Sequence, residues 1–261
     1  MTTYFAVGGL ALVILLGIAI VAIVRPRTGQ IDAGPSSAFA AAMYGLLLGL
    51  LLFAGQGHFD AARSAANDEA TKNLALYSAA TGLPTADQNR IQHDVVCVMR
   101  ATIDSEWPAM ATGDTDGAVE TQQAVSRLYD DITSLEHGNP VIDAQFGSIF
   151  GLLLDRGQLR NQRLFEANRQ VSPALWLVAF IGAMVIVVIT GLEVAEPNRR
   201  RWLVAMVPIF LLLGVVFYVL AAIDQPFQGA TFAIDAGSLR HALDVIVAGR
   251  PDPGVLGPCA A

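Results

Sequence analysis

His58, Asp60 and Arg63 follow the apolar run "GLLLGLLLFAGQG" within two helical turns. On a helix, His58 and Arg63 can attract anions while Asp60 pairs with Arg63 at i, i+3; the plainer alternative is a solvated face. Arg156, Arg160 and Arg163 share a second helical face, where they either line a basic ring or pair with Asp155 and Glu166. Asp224 closes the last apolar run and is placed to cap or hydrogen-bond the "QPFQG" turn after it. Cys97 and Cys259 make neither a zinc site nor a disulfide framework, although one bond is open to them if the fold brings them together. These groups compose no catalytic pattern. The sequence holds no nucleophile elbow, P-loop or zinc spacing, and its apolar runs hold almost no ionisable residues, so neither an enzyme nor a proton-coupled transporter is expected. No metal or cofactor is expected either.

The elements that carry these residues are apolar helices. Of the 261 residues, 54% are hydrophobic and 15% charged, the composition of a membrane protein. Residues 4–24, 38–54, 174–192 and 202–222 each approach the roughly 20 apolar residues that cross a hydrocarbon core. An even number of spans leaves both termini on one side. The first run lacks a basic n-region and exceeds the usual signal-peptide core, so it is expected to stay in the mature protein. Residues 56–172 carry 16 Asp/Glu against 9 Lys/Arg, which accounts for the whole formal charge of -7 and argues against a nucleic-acid partner.

That middle segment is too long for a loop. In "TGLPTAD", Gly82 and Pro84 break the chain and Thr85 stands as an N-cap, with a helix from about Ala86. Ile91, Val95, Val98 and Ile103 give that helix an apolar stripe, and "GDTDG" at 113–117 is a loop. Val119, Ala124, Leu128 and Ile132 mark another helix over 118–135, which "EHGNP" ends; a fourth, from about Val141 to Pro173, feeds the third span. Trp107, before Pro108, is expected to anchor the fold. The class is an all-α membrane protein with four transmembrane helices in two hairpins and a long helical extramembrane insert between the second and third. The boundaries are 1–55 for the first hairpin, 56–172 for the insert, 173–222 for the second hairpin and 223–261 for an extramembrane tail. One thin layer of helices cannot hide its whole apolar stripe, so a homo-oligomer is expected.

The order of features, with "HFDAARSAANDEA" after the second span, "EWPAM" at 106–110 and "DQPFQG" at 224–229, resembles the bestrophin-like proteins of bacterial membranes, a group weakly similar to the bestrophin anion channels. The resemblance implies a pentamer whose second span lines a pore, constricted by bulky apolar residues one turn apart beside a glycine. Here Gly49 and Leu50 match the glycine and the residue after it, Leu46 falls one turn earlier and Phe53 one turn later, while Ala42 departs from a third bulky ring. The Pro-Phe turn after the last span matches Pro226 and Phe227, with Gln228 separating Phe227 from Gly229. Calcium-gated members follow that turn with an acidic cluster; "ATFAID" offers only Asp235, so calcium gating is not expected.

Two functions follow as expectations. One is an oligomeric channel for small ions, by resemblance anions, with a neck at Leu46, Gly49, Leu50 and Phe53 that gates by dewetting. The other is a non-conducting scaffold or accessory subunit of a larger membrane complex. In that case the same leucines simply pack or meet lipid, and Gly45 with Gly49 forms a small-xxx-small pair for helix packing. An acidic vestibule would favour cations, against the family's sign. The setting is multi-pass in the bacterial plasma membrane, in contact with lipid. Bestrophins keep the helical insert in the cytosol, and Arg63, Arg160, Arg163 and Arg169 near the inner span ends agree. Yet Arg25, Arg27 and the consecutive Arg199 to Arg201 in the short inter-span loops tip a near-even count toward an outward insert, with Cys97 and Cys259 on the oxidising side.

Overall fold

The computed structural model describes residues 2–28, 34–113, 118–135, 138–168, 171–194, 198–228, 233–249 and 251–259. Among the described residues the chain is helical and contains no strand. The helices are α1 (Thr2–Thr28), α2 (Pro35–Ala79), α3 (Thr85–Ala101), α4 (Trp107–Thr112), α5 (Val119–Thr133), α6 (Pro140–Asn168), α7 (Pro173–Glu193), α8 (Arg199–Asp224) and α9 (Gly237–Ala248). Four of them, α1, α2, α7 and α8, are long and apolar enough to cross a membrane.

Contacts divide the chain into two compact units. The first comprises residues 1–58 and 170–225, the second residues 59–169 and 226–261. In the first, α1 packs along α7 and α8, and glycines set the approach. A Cβ at Gly9 would lie 2.7 Å from the Phe180 ring, and one at Gly17 2.7 Å from Val187. Ala179, Ala183 and Val187 of α7 are fully buried. Small residues at such an interface let backbones close in where no hydrophobic effect drives helices together. The Trp202 indole donates to the Gly191 carbonyl at 2.9 Å, and the Tyr44 hydroxyl to Ala179 at 2.8 Å, so these polar groups are satisfied among apolar neighbours. Pro208 sits inside α8, where it lacks the N–H that would bond one turn back.

In the second unit α3 packs on α5 and α9, burying Ile91, Val95, Val98, Leu128, Ile132, Leu239 and Ile246. The expected stripes on α3 and α5 are core-facing except at their ends: Val119, in the first turn of α5, is 58% exposed, and Ile103 lies beyond α3 and is half-buried. Thr85, expected as an N-cap, is instead the first residue of α3; Pro84 flanks it and no side chain caps the end. Between α3 and α4 a π-helical stretch, Thr102–Glu106, precedes Pro108. An α turn would press the proline ring on the carbonyl four residues back, and the wider turn relieves that clash. The fourth helix of the insert does not run to Pro173 as expected. Val171 and Ser172 are non-helical, and the Ser172 hydroxyl accepts from the Ala174 N–H to start α7 afresh with Pro173 in its first turn. The "GDTDG" loop begins at Gly113, whose φ of 80° suits glycine; its residues 114–117 lie outside the described set.

Candidate functional site

Within the first unit, Leu46, Leu50 and Phe53 lie on one face of α2 with 59%, 61% and 81% of their surface exposed. Phe39 and Met43 extend the same row, also more than half exposed. The steps 39, 43, 46, 50, 53 alternate four and three, the spacing of a helix seam. Gly45 and Gly49 flank the row, and a Cβ at either would meet nothing within 4 Å. The opposite face is occupied: Leu48 is buried, Leu51 and Leu52 are partly buried, and a Cβ at Gly55 would lie 2.9 Å from Ile223. Leu46, Gly49, Leu50 and Phe53 are thus brought to one bare side of a helix packed on its other side. Phe39 and Met43 belong to that row as well, and the four-three spacing from Phe39 onward was the signal for them.

His58, Asp60 and Arg63 follow on α2 without a break; His58 is half-buried, Asp60 and Arg63 are exposed. Asp224, the last residue of α8, is buried, and its carboxylate accepts the Val171 N–H rather than bonding the turn that follows it. In the second unit Pro226 and Phe227 are buried. Phe227 meets Trp107 edge-on with ring centroids 5.8 Å apart, while the Trp107 indole donates to the Ile234 carbonyl at 3.1 Å and the Pro226 carbonyl accepts from Ile234 at 2.7 Å. The turn is held from both sides, with Trp107 as its anchor. Gly229, the last of the expected turn residues, lies outside the described residues.

The sequence reading missed the charge network of the second unit. Arg156 and Arg163 are fully buried and line no basic ring. Their partners are neither Asp155 nor a neighbour on α6. Arg163 donates to Glu69 at 2.7 Å and to Glu106, Arg160 donates to Glu106 at 2.9 Å, and Arg156 donates to Asn73 at 3.0 Å and Glu69 at 3.4 Å. Asp155 pairs with Lys72. The Arg163 guanidinium also stacks 4.7 Å over the Trp107 ring. Burial alone would push the Glu106 carboxyl up, but the Arg163 and Arg160 guanidiniums hold it below the usual carboxylate range. Burial likewise works against charge on Arg163, and Glu69 and Glu106 outweigh it, raising its pKa. For Arg156 burial wins over Glu69, with Arg160 and Arg163 adding repulsion, and its pKa is lowered. The network ties α2, the π stretch and α6: Glu69 is shared by Arg156 and Arg163, and Glu106 by Arg160 and Arg163. Loss of Glu69 therefore leaves Arg156 buried without a carboxylate, and loss of Glu106 takes one of two from Arg163.

Four long apolar helices and a second, helical unit define a membrane protein of all-helical class. A family model described as a Bestrophin-like domain matches residues 11–236, and the chain belongs to that family. Two crystal structures of point variants of a bacterial bestrophin homologue from Klebsiella pneumoniae share the fold. One aligns with a TM-score of 0.73 at 13% identity, over 95% of this chain and 99% of that one. The other aligns with a TM-score of 0.70 at 14% identity, over 97% and 99%. A structure described only as a membrane protein aligns at 0.71 and 13% identity, over 90% and 94%. No curated protein sequence matches.

Proposed function

We propose that the chain is the subunit of a homo-oligomeric channel for small anions, with α2 lining the pore. The observation that carries this reading is the bare row Phe39, Met43, Leu46, Leu50 and Phe53 on a helix whose opposite face is packed. A seam at four-three spacing fits a neighbouring helix or a closed ring of copies of itself. Leu46 and Leu50, one turn apart, then form apolar rings that exclude water when the neck is narrow, with Phe53 as a further ring and Gly49 beside them. On this plan residues 1–55 and 173–222 are the two transmembrane hairpins and 56–172 the extramembrane domain. Because α2 continues unbroken to Ala79, it carries the pore wall on past His58, Asp60 and Arg63 into a vestibule. Family resemblance supports five copies and anions. Lipid covers the remaining apolar faces of α1, α7 and α8.

Purified protein imaged as single particles is expected to show a closed ring. Reconstituted in vesicles, Leu46→Ala with Leu50→Ala is expected to raise chloride flux above wild type by widening and wetting the neck. Equal flux from wild type, variant and empty vesicles would remove the channel and leave the scaffold or accessory subunit, with other membrane subunits on the bare row.

A further inference from the structure

The last described residues, 251–259, form no helix, yet they are held firmly against α3. Val255 is fully buried, and its carbonyl lies 3.2 Å from Nδ1 of His93. The Arg100 guanidinium donates to the carbonyls of Gly257 at 2.9 Å and Leu256 at 3.2 Å. Beside these contacts Cys97 and Cys259 are bonded, 162 residues apart in sequence and 5.5 Å apart at Cα. They are the only cysteines of the chain. The bond therefore has no alternative partner within one copy.

Structural disulfides between distant segments persist where thiols are kept oxidised and are rare in the cytosol. A second observation bears on the same question. Arg25 and Arg27 fall between the first two spans, and Arg199, Arg200 and Arg201 between the last two. Basic residues in short loops and near span ends mark the cytoplasmic side. Arg63, Arg160, Arg163 and Arg169 near the insert's ends pull the other way, but the five loop arginines, three of them consecutive in a very short loop, outweigh them. We infer that the second unit lies on the oxidising side of the membrane, where the Cys97–Cys259 bond latches the C-terminal strap to α3. The latch forms when the two thiols give up two protons and two electrons to the disulfide of a thiol oxidoreductase, which leaves as a dithiol; exchange passes through a mixed disulfide. This placement is opposite to the one the bestrophin resemblance implies, and it does not depend on conduction.

Whole cells expressing the full chain are quenched in acid, alkylated with N-ethylmaleimide and digested. The expected product is a peptide pair joined through Cys97 and Cys259, with neither cysteine alkylated before reduction. In parallel, a Ser78→Cys reporter on the exposed surface near the end of α2 is expected to react with a membrane-impermeant maleimide in intact cells. Alkylated Cys97 and Cys259 in the quenched cells, or a reporter that reacts only after lysis, would overturn the placement. On purified wild-type protein, dithiothreitol is expected to speed amide exchange in residues 251–259 at least tenfold. Unchanged exchange there would overturn the latch.

Discussion

Between residues 35 and 58, α2 turns Phe39, Met43, Leu46, Leu50 and Phe53 outward, whereas between 59 and 79 the same helix buries Glu69 and Asn73 almost completely. Among the described residues the first stretch leaves its apolar row uncovered, whereas the second encloses Glu69 between Arg156 and Arg163, with one Arg156 nitrogen left without a hydrogen bond. Exposed apolar rows ask for something from outside, lipid or another copy. Buried ion pairs ask for a rigid frame that is already complete, because their charges lose water and regain only what fixed partners return. One continuous helix thus has an end that must be met by its surroundings and an end that its own unit satisfies.

The largest effect is expected at Glu106. Glu106→Ala leaves Arg163 buried without one of its carboxylates and Arg160 with only the Gln122 side-chain carbonyl, and it is expected to destabilise the protein by about 3–5 kcal/mol, measured by denaturant unfolding in mild detergent. Lys72→Ala, which opens an exposed pair, should cost less than about 1 kcal/mol. Equal effects would mean the network does not frame the second unit. Phe227→Ala follows, with a loss of about 3 kcal/mol from the emptied contact with Trp107; an unchanged unfolding midpoint would remove the turn from the core.

A smaller effect is expected from Asp94. Burial, then the hydrogen bond and charge of Asp131, push its carboxyl from 3.8 to about 7, against the opposing pull of Arg127 and Arg90. The folded state then binds the proton more tightly than the unfolded chain, so stability falls as pH rises from about 4 to about 7 and levels off above that. Glu106 acts at the other end: its depressed pKa supplies stability that is lost as pH falls through the acid range. Asp94→Asn is expected to flatten the fall and raise the melting temperature at pH 8 relative to wild type, with little change near pH 4. A wild-type slope in that variant would show the proton is held elsewhere. Smallest in folding stability is Phe53→Ala, expected within about 0.5 kcal/mol of wild type because the ring touches so little of its own chain. Its sharper effect is on assembly, with a shift toward smaller species in detergent by light scattering. Wild-type assembly in both Phe53→Ala and Leu46→Ala with Leu50→Ala would leave lipid as the only cover of the row.

The four apolar helices were readable because a bilayer imposes a length and a composition that no other element shares. The stripes of α3 and α5 were readable for a similar reason, a period of 3.6 residues. The partners of Arg156 and Arg163 were not. Glu69 lies 87 and 94 residues from them and Glu106 lies 57 residues from Arg163, and no local spacing encodes a pairing made by tertiary packing. Asp155 and Glu166 drew attention only because they are near in sequence. The restart at α7 was written in Ser172 and Pro173, a side-chain cap followed by a first-turn proline, but the amphipathic pattern of α6 continued up to it and hid the signal. Asp224 reaching back to Val171 belongs to the same class as Glu69: a polar group whose partner is near only after folding.

The π stretch Thr102–Glu106 makes chain length at this point depend on the identity of one residue. A wide turn holds one residue more than a regular helix while the helices on either side keep their phase. Asp104, exposed within it, is that slack. Deleting Asp104 would draw the turn tight and keep Trp107 facing Arg163, but would set the Pro108 ring against the carbonyl one turn back. Deleting Asn89, in the regular part of α3, would instead rotate everything on one side of it by about 100°. The proline and the surplus residue therefore act together: deleting Asp104 should cost less stability in a Pro108→Ala background than with the proline in place.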